Sequence, residues 1–468
     1  MFINGPIINA PIVNSLIVNA LGGLDNPNAD VVPADALQAT SDEIVVDERT
    51  LADAKASGLT AVNITLGYVM GDLPPYEHTL HEIEVWDSII GEHPRDLLKV
   101  LTADDIVRAG SEGKIGVIYG FQNAVQIGTG TDRIASRVRQ FADLGVRVVQ
   151  LTYNQANHLG DGSMAPQNRG LTPFGREVVG ALNEANLMVD LSHSGQNTCL
   201  DAARHSSQPV SVNHTGCRAV TDLPRNKTDE ELRLVADKGG FVGIYFMPYL
   251  NPTGHATAAD VVEHIVHAVN VCGEDHVGIG TDGPVTPIDD LDAYRTELAA
   301  HTAARAQAGV AATGEGAGTF PFVLDLRGVG QFRELARLLQ ARGYTSSRVE
   351  KILGRNFYAY AARIWSRLRQ LERVDPDLVQ RRDQPLERDG ELEHERAVGH
   401  PADHAGQGLR GDQRVQRGVG QPGLLQFADH RGVALGESAR ALDAQLPERL
   451  VDVGDLLEQA HEPGVLLI

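Results

Sequence analysis

The chain has 468 residues, 42% of them hydrophobic, and a formal net charge of −21 at pH 7. This length and hydrophobic content suffice for a large buried core, such as that of a barrel of repeated strands and helices. The acidic balance argues against nucleic acid and anionic membranes as partners, because binding to either requires Lys and Arg to neutralise phosphates.

The cysteines and the N-terminal segment restrict the cellular setting. Cys199, Cys217 and Cys272 show no CxxC spacing, which predicts buried thiols rather than disulfides or a thiolate metal site. Residues 1–23 are apolar but contain no basic residue and are interrupted by prolines, so they do not resemble a secretory signal. No stretch reaches the roughly 18 uninterrupted apolar residues of a spanning helix. We therefore expect a cytoplasmic protein.

Eight short runs rich in Val and Ile recur along the first 290 residues. Continuous apolar character, without polar alternation, is typical of strands that are buried on both faces of a parallel sheet. The predicted strands cover residues 15–21, 61–67, 115–123, 146–154, 187–193, 209–215, 241–249 and 276–282.

Amphipathic segments separate these strands. They bring apolar residues round at helical spacing, and several end near a Gly or Asn stop signal. The clearest cover residues 131–145, 172–186, 229–240 and 258–273. This alternation predicts an α/β fold, a TIM-like (β/α)8 barrel, with a doubly wound open sheet as the alternative.

Three segments follow the eighth strand. Residues 306–320 are small and poor in large apolar side chains, which indicates a loop over the barrel mouth or a mobile link. Two amphipathic helices, predicted over residues 331–343 and 347–365, are expected to cover the outside of the barrel.

The composition changes abruptly near residue 375. Residues 375–468 contain no Lys, Thr, Tyr or Trp and a single Phe, so they can bury little surface against their ordering entropy. We therefore divide the chain into a barrel domain, 1–374, and a disordered or loosely packed C-terminal low-complexity tail, 375–468. A shifted reading frame would produce the same bias, and the two explanations stay open.

Three predicted strands end in residues that can bind a metal or move a proton. The run MVDLSHSG contains His193, PVSVNHTG contains His214 and HVGIGTDG contains Asp282. The carboxyl ends of parallel barrel strands converge on one mouth, so these side chains are predicted to meet there. Imidazoles suit zinc, and a nearby carboxylate can take a proton from water. Structural hydrogen bonds for the histidines and a turn role for Asp282 are the alternatives.

Four further polar residues face this mouth in the same interpretation. Gln122, at the end of the third strand, is either a weak metal ligand or a hydrogen-bonding group. Tyr153 and Asn154 follow the fourth strand as candidates for substrate binding, although Tyr153 could equally be a packed aromatic. Arg225 could bind a substrate carboxylate through two hydrogen bonds or lie at the surface; it precedes a helix with a capping-box spacing.

These stretches together resemble the membrane (renal-type) dipeptidases, metallopeptidase family M19, within the amidohydrolase-like barrels. The resemblance runs from about Ile12 to Trp365. It is carried by residues 170–195 (GLTPFGREVVGALNEANLMVDLSHSG), 209–246, 276–283 (HVGIGTDG) and 349–361 (VEKILGRNFYAYA).

The resemblance implies a chemistry for the candidate residues. Members of that family hold two zinc ions at the barrel mouth and hydrolyse dipeptides with a metal-bound hydroxide. On this resemblance, His193 and His214 match the ligands of the second metal. Asp282 matches the acid/base aspartate, and Arg225 matches the arginine that binds the substrate carboxylate.

The chain departs from the family at the first metal. Leu21 and Gly23 stand where the family has a His-x-Asp pair, and neither has a ligand atom. Gln122 replaces the bridging glutamate, and Tyr153 replaces a substrate-binding histidine. Asp25 lies close by, but its spacing is wrong for a direct substitution.

The sequence thus predicts a metal-dependent hydrolase that resembles dipeptidases and cleaves a dipeptide or similar small amide. One zinc ion is expected, on His193 and His214. The alternative is a catalytically silent barrel that binds a small ligand or a partner protein, which the missing first-metal ligands favour. A small dipeptide-like substrate is the expected partner; neither nucleic acid nor membrane is expected, and a homodimer is left open.

Overall fold

The structure, a computed structural model, describes residues 16–29, 43–307, 309, 311–316 and 318–374. The predictions for the first 15 residues and for the tail 375–468 lie outside the described residues. The structure therefore does not test the domain boundary predicted near residue 374.

A parallel β-sheet forms the centre of the described part. All eight predicted apolar runs contain a strand, because their Val and Ile side chains are buried on both faces of the sheet. A ninth strand, β3, pairs with the start of β4. The strands are β1 (Val18–Asn19), β2 (Ala61–Thr65), β3 (Leu97–Lys99), β4 (Ile115–Phe121), β5 (Val146–Gln150), β6 (Met188–Asp190), β7 (Ser211–Thr215), β8 (Phe241–Ile244) and β9 (Val277–Ile279).

The sheet curls into a nearly closed barrel. Its strand order is β1-β2-β4-β5-β6-β7-β8-β9, with each pair of neighbours parallel. Backbone hydrogen bonds then join the last strand region to the first, from Ala20 N to Ile279 O (3.0 Å) and from Asp282 N to Leu21 O (2.9 Å). This closure confirms the TIM-like (β/α)8 barrel and excludes the open sheet.

Helices alternate with the strands, as the periodicity predicts. They are α1 (Glu48–Ser57), α2 (Pro75–Glu92), α3 (Ala103–Ser111), α4 (Ile134–Asp143), α5 (Pro173–Glu184), α6 (Gln196–His205), α7 (Asp229–Asp237), α8 (Ala258–Cys272), α9 (Leu291–Gln307), α10 (Gln331–Ala341), α11 (Ser346–Glu350) and α12 (Asn356–Val374). The capping box of α7 is formed, with Glu231 Oε2 accepting from Thr228 N at 2.9 Å. None of the helices within the described residues combines the length and apolarity that a membrane span requires.

The C-terminal helix closes the end of the barrel opposite the mouth. Phe357, Ile364 and Trp365 of α12 pack in one apolar cluster with the first residues of several strands, such as Met188 and Phe241. A π-helical turn, Lys351–Arg355, leads into α12. Helix α10 covers the outside of the barrel, as expected, because it packs against α1 and α8. Helix α12 packs against the outer helix α3 as well as against the end of the barrel.

The cysteines are free and buried, as predicted. Cys199, Cys217 and Cys272 are reduced thiols in the described structure. Burial raises the pKa of all three thiols above the usual value, to about 12 for Cys272.

Candidate active site

The carboxyl ends of the parallel strands bring the predicted residues to one mouth. His214 lies in β7, while His193 and Asp282 each follow the last residue of their strand, β6 or β9, by three positions. One cavity of about 240 Å³ is lined by five of the seven candidates: Tyr153, Asn154, His193, Arg225 and Asp282. The convergence expected of a barrel mouth therefore holds for these residues.

The two histidines are in direct contact. Their Nε2 atoms are 2.9 Å apart, and His193 Nδ1 lies 2.7 Å from Asn154 Oδ1. Because an amide oxygen accepts, His193 carries its proton on Nδ1, and its Nε2 accepts from His214 Nε2. His214 Nδ1 is then unprotonated and has no partner in the described structure.

Both imidazoles are neutral near pH 7. Burial lowers the pKa of His193 and His214 well below the usual value, and the Arg225 guanidinium lowers both further. Tyr153 stacks on the His193 ring, with centroids 4.2 Å apart. Neutral imidazole is the form in which histidine binds divalent ions. His214 would offer its Nε2 lone pair to an ion once its proton moved from Nε2 to the unpartnered Nδ1.

Two buried cations hold the segment that carries His193. Arg225 is 3% exposed and donates to the backbone carbonyls of Ser192 (2.5 Å) and His214 (3.1 Å). Lys227 donates to the carbonyl of Ser194. Since two of its five N–H groups are used in this way, Arg225 keeps donors for a ligand in the cavity that it lines.

Asp282 occupies an unusual backbone position. Its φ is 63°, in the left-handed region that non-glycine residues rarely adopt. Burial raises the pKa of its carboxyl to about 6, although the positive charges of Arg225 and Arg305 act in the opposite direction. A carboxyl with this pKa can exchange protons near neutral pH.

The residues present do not fit a two-metal site. Catalytic zinc sites usually have three protein ligands. Within the described ranges no group of three or more His, Cys, Asp or Glu side chains converges on one point, so His193 and His214 supply two ligands of such a set. Leu21 is 3% exposed and apolar. The amide of Gln122 donates from Nε2 to Thr65 Oγ1 (2.7 Å), and Gln122 does not line the cavity of His193. The converging Nε2 atoms of the two histidines fit at most one ion.

Several residues of the mouth were missed by the sequence interpretation. Arg305 on α9 pairs with Glu315 at 2.6 Å, and both line the cavity with Tyr249. Glu315 belongs to segment 306–320, which was predicted as a loop over the barrel mouth or a mobile link. The sequence therefore offered one hint that Glu315 lies at the mouth. Asp25, set aside for its spacing, lines two neighbouring cavities together with Asp282.

Comparisons with known proteins agree with the barrel fold. The family model for membrane dipeptidase (peptidase family M19) matches residues 54–296. An amidohydrolase from Pseudomonas aeruginosa is 30% identical, with a TM-score of 0.60, and the match covers 75% of this chain and 97% of that one. A metallo peptidase from Rhodobacter sphaeroides, liganded with a phosphinate mimic of L-Ala-D-Ala, shares the fold at 18% identity and a TM-score of 0.58, covering 75% of this chain and 100% of that one.

Two dipeptidases are similar in sequence. An uncharacterized dipeptidase of Schizosaccharomyces pombe is 32% identical over 229 residues, which cover 46% of this chain and 54% of that protein. A dipeptidase of Claviceps purpurea is 31% identical over 231 residues, covering 47% of this chain and 53% of that protein. The chain spans about half the length of these curated relatives.

Proposed function

Because the chain belongs to the membrane dipeptidase family, peptidase family M19, we propose that it is a metal-dependent hydrolase of dipeptides or similar small amides. The observation that carries the proposal is the convergence of the His193 and His214 Nε2 atoms, 2.9 Å apart, beside a cavity that Asp282 and Arg225 also line. The similar proteins from S. pombe and C. purpurea, both named dipeptidases, support the substrate class.

His193 and His214 would hold one divalent ion, for which zinc is the natural choice with imidazole ligands. When bound, the ion supplies Lewis-acid chemistry, which polarises the amide carbonyl of the substrate. Asn154 fixes the proton of His193 on Nδ1 and so directs the Nε2 lone pair. Gln122 has no part in this arrangement beyond its hydrogen bond to Thr65.

Asp282 is assigned the proton transfer. Its carboxylate takes a proton from the attacking water, and the resulting carboxylic acid returns it to the leaving amine. Arg225 would bind the substrate carboxylate with the N–H groups that do not donate to backbone carbonyls. Tyr153 and Asn154 line the same cavity and complete the substrate-binding surface.

A silent ligand-binding barrel is the second candidate function. Leu21 and Gly23 provide no ligand atom where the resemblance places the first metal, and the described residues offer no third ligand from His, Cys, Asp or Glu beside the two histidines. A barrel of this kind would bind dipeptide-like ligands in the same cavity without turning them over.

Metal analysis and turnover together test the proposal. We expect the purified wild type to retain up to one equivalent of zinc and to hydrolyse members of a panel of L,L- and L,D-dipeptides. The double variant His193→Ala, His214→Ala should lose both properties, because ligands bind an ion as a set. His255→Ala, an exposed histidine, is the matched control and should change neither.

The outcomes separate the two candidates. Stoichiometric zinc in the double variant would show that the histidines are not the ligands. A wild type that binds dipeptides but hydrolyses none of them, with or without added zinc, would establish the silent barrel.

A further inference from the structure

A second cavity occupies the place where the resemblance puts the first metal. It has a volume of about 250 Å³ and lies at the end of β1. Its walls are apolar, and two carboxylates, Asp25 and Asp282, face it from different strand ends. The apolar lining residues are Leu21, Leu24, Ile44, Ile64 and Trp86.

Gly23 makes room for the Asp25 carboxylate. A Cβ atom on Gly23 would come within 2.4 Å of Asp25 Oδ1, which is closer than non-bonded atoms approach. Gly23 N is fixed by a hydrogen bond to Gly283 O (3.1 Å), so the backbone cannot move away without cost. A side chain at position 23 would therefore force the Asp25 carboxylate out of its present position.

The cavity leaves the Asp25 carboxylate without a partner. No group in the described residues donates a hydrogen bond to it. A desolvated carboxylate is costly unless a ligand satisfies it.

The Asp25 and Asp282 carboxylates select a cationic ligand. No third His, Cys, Asp or Glu of the described ranges joins them, so the three protein ligands of a catalytic zinc are not present. An organic ammonium needs no such ligand set, because its N–H groups donate to carboxylates. An aliphatic body would bury against Leu24 and Ile64.

We propose that this cavity binds the N-terminal residue of the substrate, with its ammonium between Asp25 and Asp282 and its aliphatic side chain against the apolar wall. The inference rests on the proposed function for its link to hydrolysis, and it names the substrate class: small amides with a free amine and an aliphatic first residue. The positive charge of the substrate thus replaces that of the absent first metal.

Calorimetric binding at pH 8 tests the proposal without any reaction. The probes are L-leucinamide and its uncharged analogue N-acetyl-L-leucinamide, with the full chain. We expect leucinamide to bind more tightly by about tenfold or more, since truncation of a buried charge pair has effects of at least this size. Asp25→Asn should abolish the difference, whereas Asp292→Asn, an exposed carboxylate on α9, should preserve it.

A second variant protects the test against misfolding. Gly23→Ala should displace the Asp25 carboxylate and weaken leucinamide binding while both aspartates remain.

Three results would overturn the proposal: equal affinity for the two amides, unchanged binding in folded Asp25→Asn, or an equivalent of zinc that depends on Asp25 and displaces leucinamide. If leucinamide binds as expected but no dipeptide is hydrolysed, the proposed function fails and the binding site stands.

Discussion

At the scale of single residues, the site depends on which atoms carry protons. Asn154 fixes the tautomer of His193, and through it the direction of the hydrogen bond between the two imidazoles. Asp282 and Asp25 are carboxyls whose pKa values are raised by burial, each to about 6. The two aspartates lead to separate predictions, one for turnover and one for stability.

Asp282→Asn should remove most of the turnover. General acid/base groups contribute about 10²–10⁴-fold, and asparagine cannot exchange the proton. In the wild type, kcat/KM should fall about tenfold per pH unit below pH 6, because the base must be ionised and its pKa is about 6. Steady-state pH profiles with unchanged zinc content provide the measurement. Near-native turnover of the variant would remove Asp282 from the mechanism.

Asp25→Asn should stabilise the protein at high pH. Below pH 4 the carboxyl is protonated in the folded and unfolded states, so the variant gains nothing there. As the pH rises through 6, the wild type must ionise a desolvated carboxyl and loses stability. We expect a gain of up to roughly 3 kcal/mol at pH 8, measured by urea unfolding at both pH values. Asp292→Asn is the exposed control, and an equal effect of Asp25→Asn at pH 4 and pH 8 would contradict the prediction.

At the scale of elements, the sequence predicted the strands and helices that have a clear apolar pattern. Continuous Val/Ile runs identified all eight barrel strands. Of the three residues at their ends, His193 and His214 are in contact, and Asp282 lines the same cavity as His193. The three-residue strand β3 was too short to stand out. Helix α9 was missed because only two of its side chains, Leu298 and Thr302, are buried, so its apolar periodicity is weak.

The remaining site residues could not be predicted from sequence patterns, for a physical reason. Arg305 and Asp25 reach the mouth because of side-chain direction and long-range packing, neither of which has a local periodicity. The same holds for Lys227, whose contact with the Ser194 carbonyl depends on how two loops meet.

The pairing of α9 with the following loop can be tested by a double-mutant cycle. Arg305 and Glu315 are about one-tenth exposed, so Arg305→Ala leaves a mostly buried charge unpaired and should cost about 3 kcal/mol of unfolding free energy. The double variant Arg305→Ala, Glu315→Ala should be more stable than this single variant. Arg295→Ala, exposed on the same helix, should change stability by less than about 0.5 kcal/mol. A double variant less stable than Arg305→Ala would disprove the pairing.

At the scale of the whole molecule, the barrel has two differently built ends. The mouth collects polar and charged groups, while the opposite end is filled by the aromatic side chains of α12. This division follows from the parallel arrangement of the strands, which places all their carboxyl ends on one side.

Removal of residues 375–468 should leave the barrel folded. The composition of this tail predicts little buried surface, and Phe357, Ile364 and Trp365 of α12 hold this helix in an apolar cluster of the barrel. We expect a change in Tm of less than about 2 °C for the chain ending at Val374, measured by scanning calorimetry. A chain ending at Arg355, without α12, is the control and should not fold. A large drop in Tm on the first truncation would show that the tail packs.

The three buried thiols can report local opening of the folded barrel. A thiol reacts with alkylating reagents as the thiolate, and burial raises the pKa of each cysteine in the folded barrel. Cys199 belongs to α6, whereas Cys217, in the loop after β7, packs on α8, which carries Cys272. The thiols therefore sample two separate sectors of the barrel wall. The order in which they become labelled would therefore record which sector loosens first, without any introduced probe.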